Sequence, residues 1–321
     1  MFMNFLTTVN DSYAGPFYPA GWDYAKIDKI TAYDLDQTRK RQSHWHRLFD
    51  LDICNDSSGG VEALNAKMGY EIFTQIKEAA DAGRELAMIL PVGPMGMYQW
   101  VVYFCRKHNV SCKHVHGFNM DEWSDQSGNS APSSAPGSFQ GAMEHAFYGP
   151  LGKLTVPKSQ RFFATRKLLP QYPEKIDHLR KNGAKLVVVY GIGRACHIAF
   201  WEPHFATEYK TVDAWRSDPF RLGAQLHPLT IEQNSLHTFA SRLTLIPLRA
   251  NTIGPGLFTK ADYCIGGADG CQGNFNWQGQ SVRMTLHYGP DPWVPSSWMP
   301  TMPGRLFVIQ AVAGPLSTEA H

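Results

Sequence analysis

Residues 184–203 read AKLVVVYGIGRACHIAFWEP, and this stretch decides the fold. Its apolar run LVVVY, at 186–190, is long enough for a strand that is buried on both faces of a sheet. The run ends at Gly191, and the polar side chains of His197 and Glu202 follow shortly afterwards. Because ligands bind beyond the carboxyl ends of parallel strands, we expect the stretch to supply both a core strand and part of a binding site.

Strand and helix patterns alternate on both sides of this run. Residues 61–83 carry apolar side chains at every fourth position, which is typical of an amphipathic helix. Short apolar runs at 85–93, 113–120 and 261–267 predict strands, and residues 95–110 predict a helix between the first two of them. This alternation predicts the α/β class, a Rossmann-like parallel sheet with helices on both faces.

Composition bounds the function of the chain. Of 321 residues, 43% are hydrophobic and 18% are charged, which predicts a folded protein. The formal net charge is only +2, so we expect neither nucleic acid nor a membrane as partner. A small molecule is the expected partner. No long apolar run, secretory signal or CxxC spacing is visible, which predicts a cytoplasmic protein with reduced thiols. The apolar residues of 1–54 do not recur at the spacing of a helix or a strand. We expect residues 1–54 to form an N-terminal extension packed on a domain of residues 55–321.

Two other predicted strand ends carry chemically interesting groups. The turn PVGPMG at 91–96 opens a helix whose free N–H groups suit an anion, although a plain strand-to-helix turn has the same pattern. Asp121 and Glu122 follow the strand at 113–120 and precede Trp123. Adjacent carboxyl groups are candidates for proton transfer, because burial and like charge raise their pKa; an exposed acidic turn is the alternative.

The histidine of the opening stretch has two interpretations. Glu202 lies five residues after His197, close enough to orient the imidazole and raise its pKa. A buried histidine satisfied by the backbone is the alternative. The GIG at 191–193 lacks the third glycine of a dinucleotide-binding turn, so it gives little support for such a cofactor.

Two of these segments together resemble the glucosamine-6-phosphate isomerase/deaminase family. FNMDEW at 118–123 is similar to the family pattern FNMDEY, and GIGRACHIAFWEP at 191–203 is similar to GIGxDGHIAFNEP. The two occur in the order that the family has. Weaker matches lie at 91–98, 138–151, 229–239, 251–262 and 294–299, so the resemblance covers roughly residues 55–312.

The resemblance implies an aldose–ketose isomerisation of a sugar or sugar phosphate with hydrolytic loss of ammonia, without a cofactor or metal. It implies that Asp121 moves a proton between C2 and C1 beside Glu122, and that His197 opens the sugar ring with Glu202 as its carboxylate partner. The residues expected to bind the substrate are Gly93, Gly96, Gly191, Gly193, Arg194 and Trp123. Assembly into a homo-oligomer stays open.

The chain departs from the family pattern at several places. Ala195 and Cys196 stand where the family has Asp and Gly, so one of two carboxylates that orient the histidine is missing. The family's Ser/Thr turn is shortened to VGPMG, its arginine near 234–239 is replaced, and its lysine has no counterpart in IGGADGCQG at 265–273. Two hypotheses therefore stand: a divergent sugar isomerase/deaminase, or a sugar-binding or regulatory protein on the same fold with weakened turnover.

Two structural expectations follow. Because motifs at successive strand ends meet at one edge of a parallel sheet, Asp121, Glu122, His197 and Glu202 should converge on one cleft. We also expect Ala195→Asp to restore the missing carboxylate and with it faster ring opening, since a carboxylate beside an imidazole fixes its tautomer.

Overall fold

The computed structural model describes residues 18–57, 59–273 and 275–316, apart from the side chain of Leu243. Residues 1–17 of the expected extension lie outside this part of the chain. The helices are α1 (Tyr24–Thr31), α2 (Leu35–Arg39), α3 (Val61–Asp81), α4 (Gly96–Lys107), α5 (Phe139–Met143), α6 (Tyr172–Lys181), α7 (Val212–Ser217), α8 (Pro228–His237), α9 (Pro255–Phe258), α10 (Gly279–His287) and α11 (Gln310–Ala313). The strands are β1 (Phe49–Cys54), β2 (Leu86–Leu90), β3 (Val115–Asn119), β4 (Asp121–Trp123), β5 (Arg161–Phe162), β6 (Lys185–Gly191), β7 (Phe220–Gln225), β8 (Arg249–Ile253), β9 (Tyr263–Ala268), β10 (Cys271–Gln272), β11 (Phe275–Asn276) and β12 (Gly304–Ile309).

Strand β6, from the opening stretch, is the middle strand of a seven-stranded parallel sheet. The strand order is β1-β12-β9-β6-β2-β3-β5, and every neighbouring pair in it is parallel. Helix α3 packs across β9 and β12, α6 packs on β2 and β6, and helices cover both faces. The predicted fold class is therefore confirmed, and the strand ends at 90–94 and 191–193 lie side by side.

The sheet begins earlier in the chain than the sequence analysis expects. Strand β1 lies inside the stretch taken as an extension, yet it pairs in parallel with β12, from Phe49 beside Gly304 to Cys54 beside Ile309. In its sequence FDLDIC, apolar residues alternate with aspartates, which suits an edge strand that is partly exposed. It therefore lacks the unbroken apolar run that marks the central strands. Residues 49–54 therefore belong to the main sheet, and the expected boundary at residue 54 divides one structural unit.

Helices α1 and α2 of the same stretch pack on α10. The fully buried guanidinium of Arg283 holds these parts together, because it donates hydrogen bonds to the carbonyl oxygens of Tyr33 (3.1 Å), Val312 (3.1 Å) and Ala313 (3.2 Å). Burial lowers the pKa of Arg283 to about 10. The described segment before β1 is thus joined to the end of the chain through one side chain.

A second sheet positions the acidic motif. Strands β4, β8 and β7 form an antiparallel sheet in which Asp121 lies opposite Thr252. The two sheets meet at Met120, whose N–H donates to the carbonyl of Leu90 at 3.0 Å and whose carbonyl accepts from the N–H of Ile253 at 2.8 Å. Asp121 therefore leaves the parallel sheet at its carboxyl edge and is held by backbone pairing. Among the described residues, none of the helices combines the length and hydropathy that a bilayer span needs.

Candidate active site

A cavity of about 300 Å³ lies at the carboxyl ends of the central strands, a size at the lower end of the range for small-molecule sites. Both Asp121 and His197 line it. The strand ends supply Pro91, Val92, Gly93, Pro94, Gly191, Ile192, Gly193, Gly267, Asp269 and Gly270, and helix α8 and the segment before α10 supply Gln233, Asn234, His237, Gln272, Trp277 and Gln278. The expectation that the first acid and the histidine share a cleft at this edge therefore agrees with the structure.

Asp121 is the acid that faces the cavity. Its residue is only 6% exposed, and within the described residues its carboxyl group accepts no hydrogen bond. Burial, and then the negative charge of Glu122, raise the pKa of Asp121 well above its ordinary value. Since a carboxyl with a raised pKa is a stronger base than an ordinary aspartate and also a ready donor of the proton it has taken up, Asp121 has the properties of a general acid/base.

Glu122 lies outside the cavity wall, in contrast to the expectation for it. Alternate strand residues point to opposite sides, so the neighbour of a cavity-facing residue in β4 turns away from the cavity. Its carboxylate accepts hydrogen bonds from Trp123 N–H (3.0 Å), Phe139 N–H (3.0 Å), Gln140 N–H (2.8 Å) and Ser138 Oγ (3.2 Å). Burial raises the pKa of Glu122, although these hydrogen bonds oppose the rise. The residue therefore anchors the first turn of α5 and holds β4 in place.

His197 presents one edge of its ring to the cavity and the other to two buried oxygens. Its Nδ1 lies 3.0 Å from Thr230 Oγ1 and 3.3 Å from Glu202 Oε2. The hydroxyl of Thr230 donates to the same Glu202 oxygen at 3.0 Å. Because the hydroxyl hydrogen of Thr230 points to Glu202, the Thr230 oxygen can only accept a hydrogen bond from Nδ1–H of His197. The proton of the neutral imidazole is therefore on Nδ1, and Nε2 can accept a proton from a ligand.

Glu202 is fully buried behind the histidine and does not line the cavity. Its predicted pairing with His197 is present, so it acts on that ring rather than on a ligand. Thr230, in the first turn of α8, is the partner that the sequence analysis missed. No local signal marks it, because the contact joins two segments that are far apart in the chain.

The two replaced positions of the second motif turn away from the histidine. Ala195 and Cys196 are fully buried in an apolar cluster that also contains Trp22 and Ile27 of the N-terminal segment. The backbone of Cys196 has a φ of 59°, in the left-handed region that favours glycine. An aspartate at 195 would meet apolar side chains, so the expectation that it would restore ring opening does not agree with this packing.

Three of the predicted substrate-binding glycines line the cavity, Gly93, Gly191 and Gly193. Two of them are required by close contacts. A Cβ on Gly191 would lie 2.9 Å from the carbonyl oxygen of Gly93, and a Cβ on Gly193 would lie 1.9 Å from Nε2 of His197. The glycines therefore bring backbone and imidazole close together at the ends of β2 and β6.

The other predicted binding residues lie elsewhere. Gly96 packs against the amide of Asn65, where a Cβ would come within 2.3 Å of Nδ2. Arg194 pairs with Glu232 at 2.8 Å, outside the cavity wall. Trp123 is buried in an aromatic cluster and donates its indole N–H to the carbonyl of Gly137 at 2.9 Å. None of these three lines the cavity, since each is engaged by neighbouring protein groups.

Asp269 and the polar side chains of α8 line the cavity but were not predicted. Asp269 directly follows β9, so the rule that sites form at strand ends applies to it as it does to the other three strands. Burial raises the pKa of Asp269. The resemblance places the family's arginine for the substrate phosphate near 234–239, at the end of α8, but it singles out none of the polar residues of this helix, because they also fit an exposed helix face.

The buried Asp121 predicts a specific dependence of stability on pH. Its pKa is raised in the folded state, so the native protein binds more protons than the unfolded chain between the ordinary and the raised pKa. Stability is therefore expected to fall through Asp121 as pH rises across this window. Asp121→Asn removes the titrating group and with it this loss of stability. The free energy of unfolding of the variant minus that of the parent, measured by urea titration, should therefore increase from pH 4 to pH 7. A parent that gains on the variant as pH rises would contradict this assignment.

Comparison with known proteins agrees with the motifs. No family model matches the chain. It is 29% identical over 185 residues to a glucosamine-6-phosphate deaminase of Caenorhabditis elegans, covering 57% of this chain and 63% of that protein, which is less than two thirds of its length. It is 28% identical over 207 residues to the deaminase of the same name from Aedes aegypti, covering 64% of this chain and 68% of the relative.

Solved structures share the fold. A monomeric glucosamine-6-phosphate deaminase of the NagB superfamily has a TM-score of 0.64 at 19% identity, covering 82% of this chain and 98% of that one. A 6-phosphogluconolactonase from Shewanella baltica has a TM-score of 0.54 at 14% identity, covering 81% and 97%. The resemblance inferred from the motifs is therefore confirmed: the chain is similar in sequence to glucosamine-6-phosphate deaminases and has the fold that they share with 6-phosphogluconolactonases.

Proposed function

We propose that the protein is an amino-sugar isomerase/deaminase, which converts a 2-amino aldose into a ketose and releases ammonia by general acid/base catalysis. One observation carries the proposal: the carboxyl of Asp121 and the imidazole of His197 line the same small cavity. An enediol-type reaction needs one group to move a proton between carbons and another to open the sugar ring. The two side chains fit these two tasks.

Ring opening is assigned to His197. Its Nε2 accepts the proton of the anomeric hydroxyl and delivers it to the ring oxygen, so that the C1–O5 bond breaks and the C1 carbonyl forms. Glu202 and Thr230 hold Nδ1 and stabilise the imidazolium that exists between the two transfers.

Isomerisation is assigned to Asp121. Its carboxylate removes the proton from C2, the electrons of that C–H bond form a C1–C2 double bond, and the carbonyl oxygen takes up a proton from the ammonium group on C2. Asp121 then returns its proton to C1, and the nitrogen lone pair forms the C2–N double bond. The C2 imine that results adds water and loses ammonia, which leaves the ketose. The raised pKa of Asp121 suits both halves of the transfer, because the same group acts as base and then as acid.

The direct test is an assay of ammonia and ketose with hexosamines, run with and without a 6-phosphate group. Hydrolysis of 6-phosphogluconolactone serves as the control, because the fold neighbours include lactonases. We expect ammonia and ketose in equal amounts. Binding of a hexosamine without ammonia would support the sugar-binding alternative, and lactone hydrolysis without ammonia would contradict the proposal.

Thr230 provides a test of the ring-opening assignment. Thr230→Val removes the hydroxyl that bridges His197 and Glu202, so we expect kcat on a cyclic substrate to fall about tenfold with little change in KM, and the pH profile of kcat to move. Thr230→Ser keeps the hydroxyl and should retain parental kcat. A loss that is equal for both variants, or equal on an open-chain substrate analogue, would mean that Thr230 contributes only to packing.

A further inference from the structure

Among the described residues that line the cavity are two acids and no lysine or arginine. Within the described residues, the charged groups that line it are the carboxyls of Asp121 and Asp269, beside the imidazoles of His197 and His237. Burial lowers the pKa of His237, which disfavours a positive charge on this ring. The remaining polar side chains of the wall are the amides Gln233, Asn234, Gln272 and Gln278 and the hydroxyl of Thr238.

The two carboxyls enter the cavity wall from strands that are not neighbours in the sheet, and the part of the cavity at Asp269 is called the far end below. Asp121 follows β3 and Asp269 follows β9, with strands β2 and β6 between them in the sheet. Three strand spacings separate the two chain positions by about 14 Å. The proposed function puts the reacting carbons of the sugar at Asp121, and we therefore assign the part of the sugar that does not react to the far end.

The far end is rigid and suited to hydroxyl groups. The amide of Gln278 is fixed, because it accepts from the N–H of Gly270 at 2.8 Å and donates to the carbonyl of Ile192 at 2.6 Å. The ring of Trp277 lies beside that of His237, with centroids 5.3 Å apart. An aromatic face beside hydrogen-bond acceptors matches the apolar faces and outward hydroxyls of a sugar.

An anionic group finds little compensation here. The first turn of α4, which an anion would use, does not line the cavity, and its Gly96 packs on Asn65. The guanidinium of Arg194 is committed to Glu232 at 2.8 Å. A phosphate dianion at the far end would instead meet the carboxyl of Asp269, which supplies no positive charge and opposes a second anion whenever it is ionised.

We propose that the substrate is an unphosphorylated 2-amino hexose, whose hydroxyl groups remote from C1 and C2 donate hydrogen bonds to Asp269. The inference rests on the proposed function for the position of the reacting end. Asp269 is a specificity-determining residue, because its carboxyl offers a 6-phosphate no positive charge and its oxygens accept hydrogen bonds from neutral hydroxyls.

Binding and turnover are measured separately on the intact protein, by calorimetry and by ammonia release, with glucosamine and glucosamine 6-phosphate as the two probes. We expect glucosamine to bind at least about tenfold more tightly and to be the better substrate. Tighter binding of the phosphate ester would overturn the inference. Glucosamine that binds preferentially without releasing ammonia would support the preference of the cavity for an unphosphorylated sugar and remove the proposed function.

A charge-reversal variant sharpens the test. Asp269→Lys is expected to shift the binding ratio of the two probes about a hundredfold toward glucosamine 6-phosphate, and Asp269→Asn to shift it by a smaller factor in the same direction. Asp177→Lys, the same change at an exposed position outside the cavity, is the matched control and should keep the parental ratio. An unchanged ratio in folded Asp269→Asn would overturn the role of Asp269, even where the lysine variant does not fold.

Discussion

Asp121→Asn is expected to reduce ammonia release by a factor on the order of 10²–10⁴, the usual contribution of a general base. The amide has the shape of the carboxyl but cannot accept the proton from C2, so the chemical step is lost while the cavity keeps its form. The carboxyl of Asp121 accepts no hydrogen bond within the described part of the chain, and no structural contact is removed by the exchange. Steady-state kinetics and calorimetry with glucosamine measure the two effects separately.

Two control variants separate catalysis from structure. Asp177→Asn makes the same exchange at an exposed position and should leave turnover unchanged. Glu122→Gln should lower the free energy of unfolding, because its carboxylate holds four donors, and should reduce the turnover of the folded protein far less than Asp121→Asn, because it lowers the pKa of Asp121 without removing the base. Parental turnover in Asp121→Asn would assign the base to another residue, and weakened glucosamine binding alone would assign Asp121 a binding role.

Ala195→Asp is expected to lower the free energy of unfolding by about 3–5 kcal/mol. Ala195 is fully buried in a cluster formed by Trp22, Ile27 and Ile30 of the N-terminal segment and Leu229 of α8. A carboxylate placed there loses its hydration among these apolar side chains. Turnover should fall along with stability, because the same cluster supports the loop that carries the ring-opening histidine.

The measurement is urea unfolding of the parent, Ala195→Asp and Ala195→Asn at pH 4 and pH 7. A buried carboxyl that must ionise costs more as pH rises, whereas the amide cost is independent of pH, so the two variants should separate at pH 7. An aspartate variant as stable as the parent, and faster on a cyclic than on an open-chain substrate, would show that the position still serves the histidine as in the family pattern.

The main sheet and one half of the site follow from local sequence. The run at 186–190 predicts the middle strand because an unbroken apolar stretch has one stable environment, and the strand-end rule then places Asp121 and His197 at one edge. Strand β1 was missed because an edge strand buries only part of its surface. The opposite roles of Asp121 and Glu122 depend on which side of β4 faces the cavity, and that side is fixed by pairing with β8.

The other half of the site depends on contacts between distant segments. Thr230 reaches His197 only because α8 packs over the loop after β6, and no spacing in the sequence encodes that contact. Asp269 follows a predicted strand, so the rule that sites form at strand ends applies to it. The family pattern draws attention only to the lysine that is missing from this segment. The charge of the cavity is a property of the assembled wall and becomes visible once the strand order is known.

We propose that His197 opens the sugar ring and that Asp121 moves the C2 proton of the opened sugar. Proton NMR of glucosamine in D₂O, with the parent and with Asp121→Asn, tests both roles in one measurement. With the parent, we expect the C2–H signal of glucosamine to disappear as ammonia is released. With Asp121→Asn, we expect this signal to stay while the ring forms still interconvert through His197. Equal rates of C2–H loss in the two proteins, or a C2–H signal that persists with the parent, would contradict this proposal.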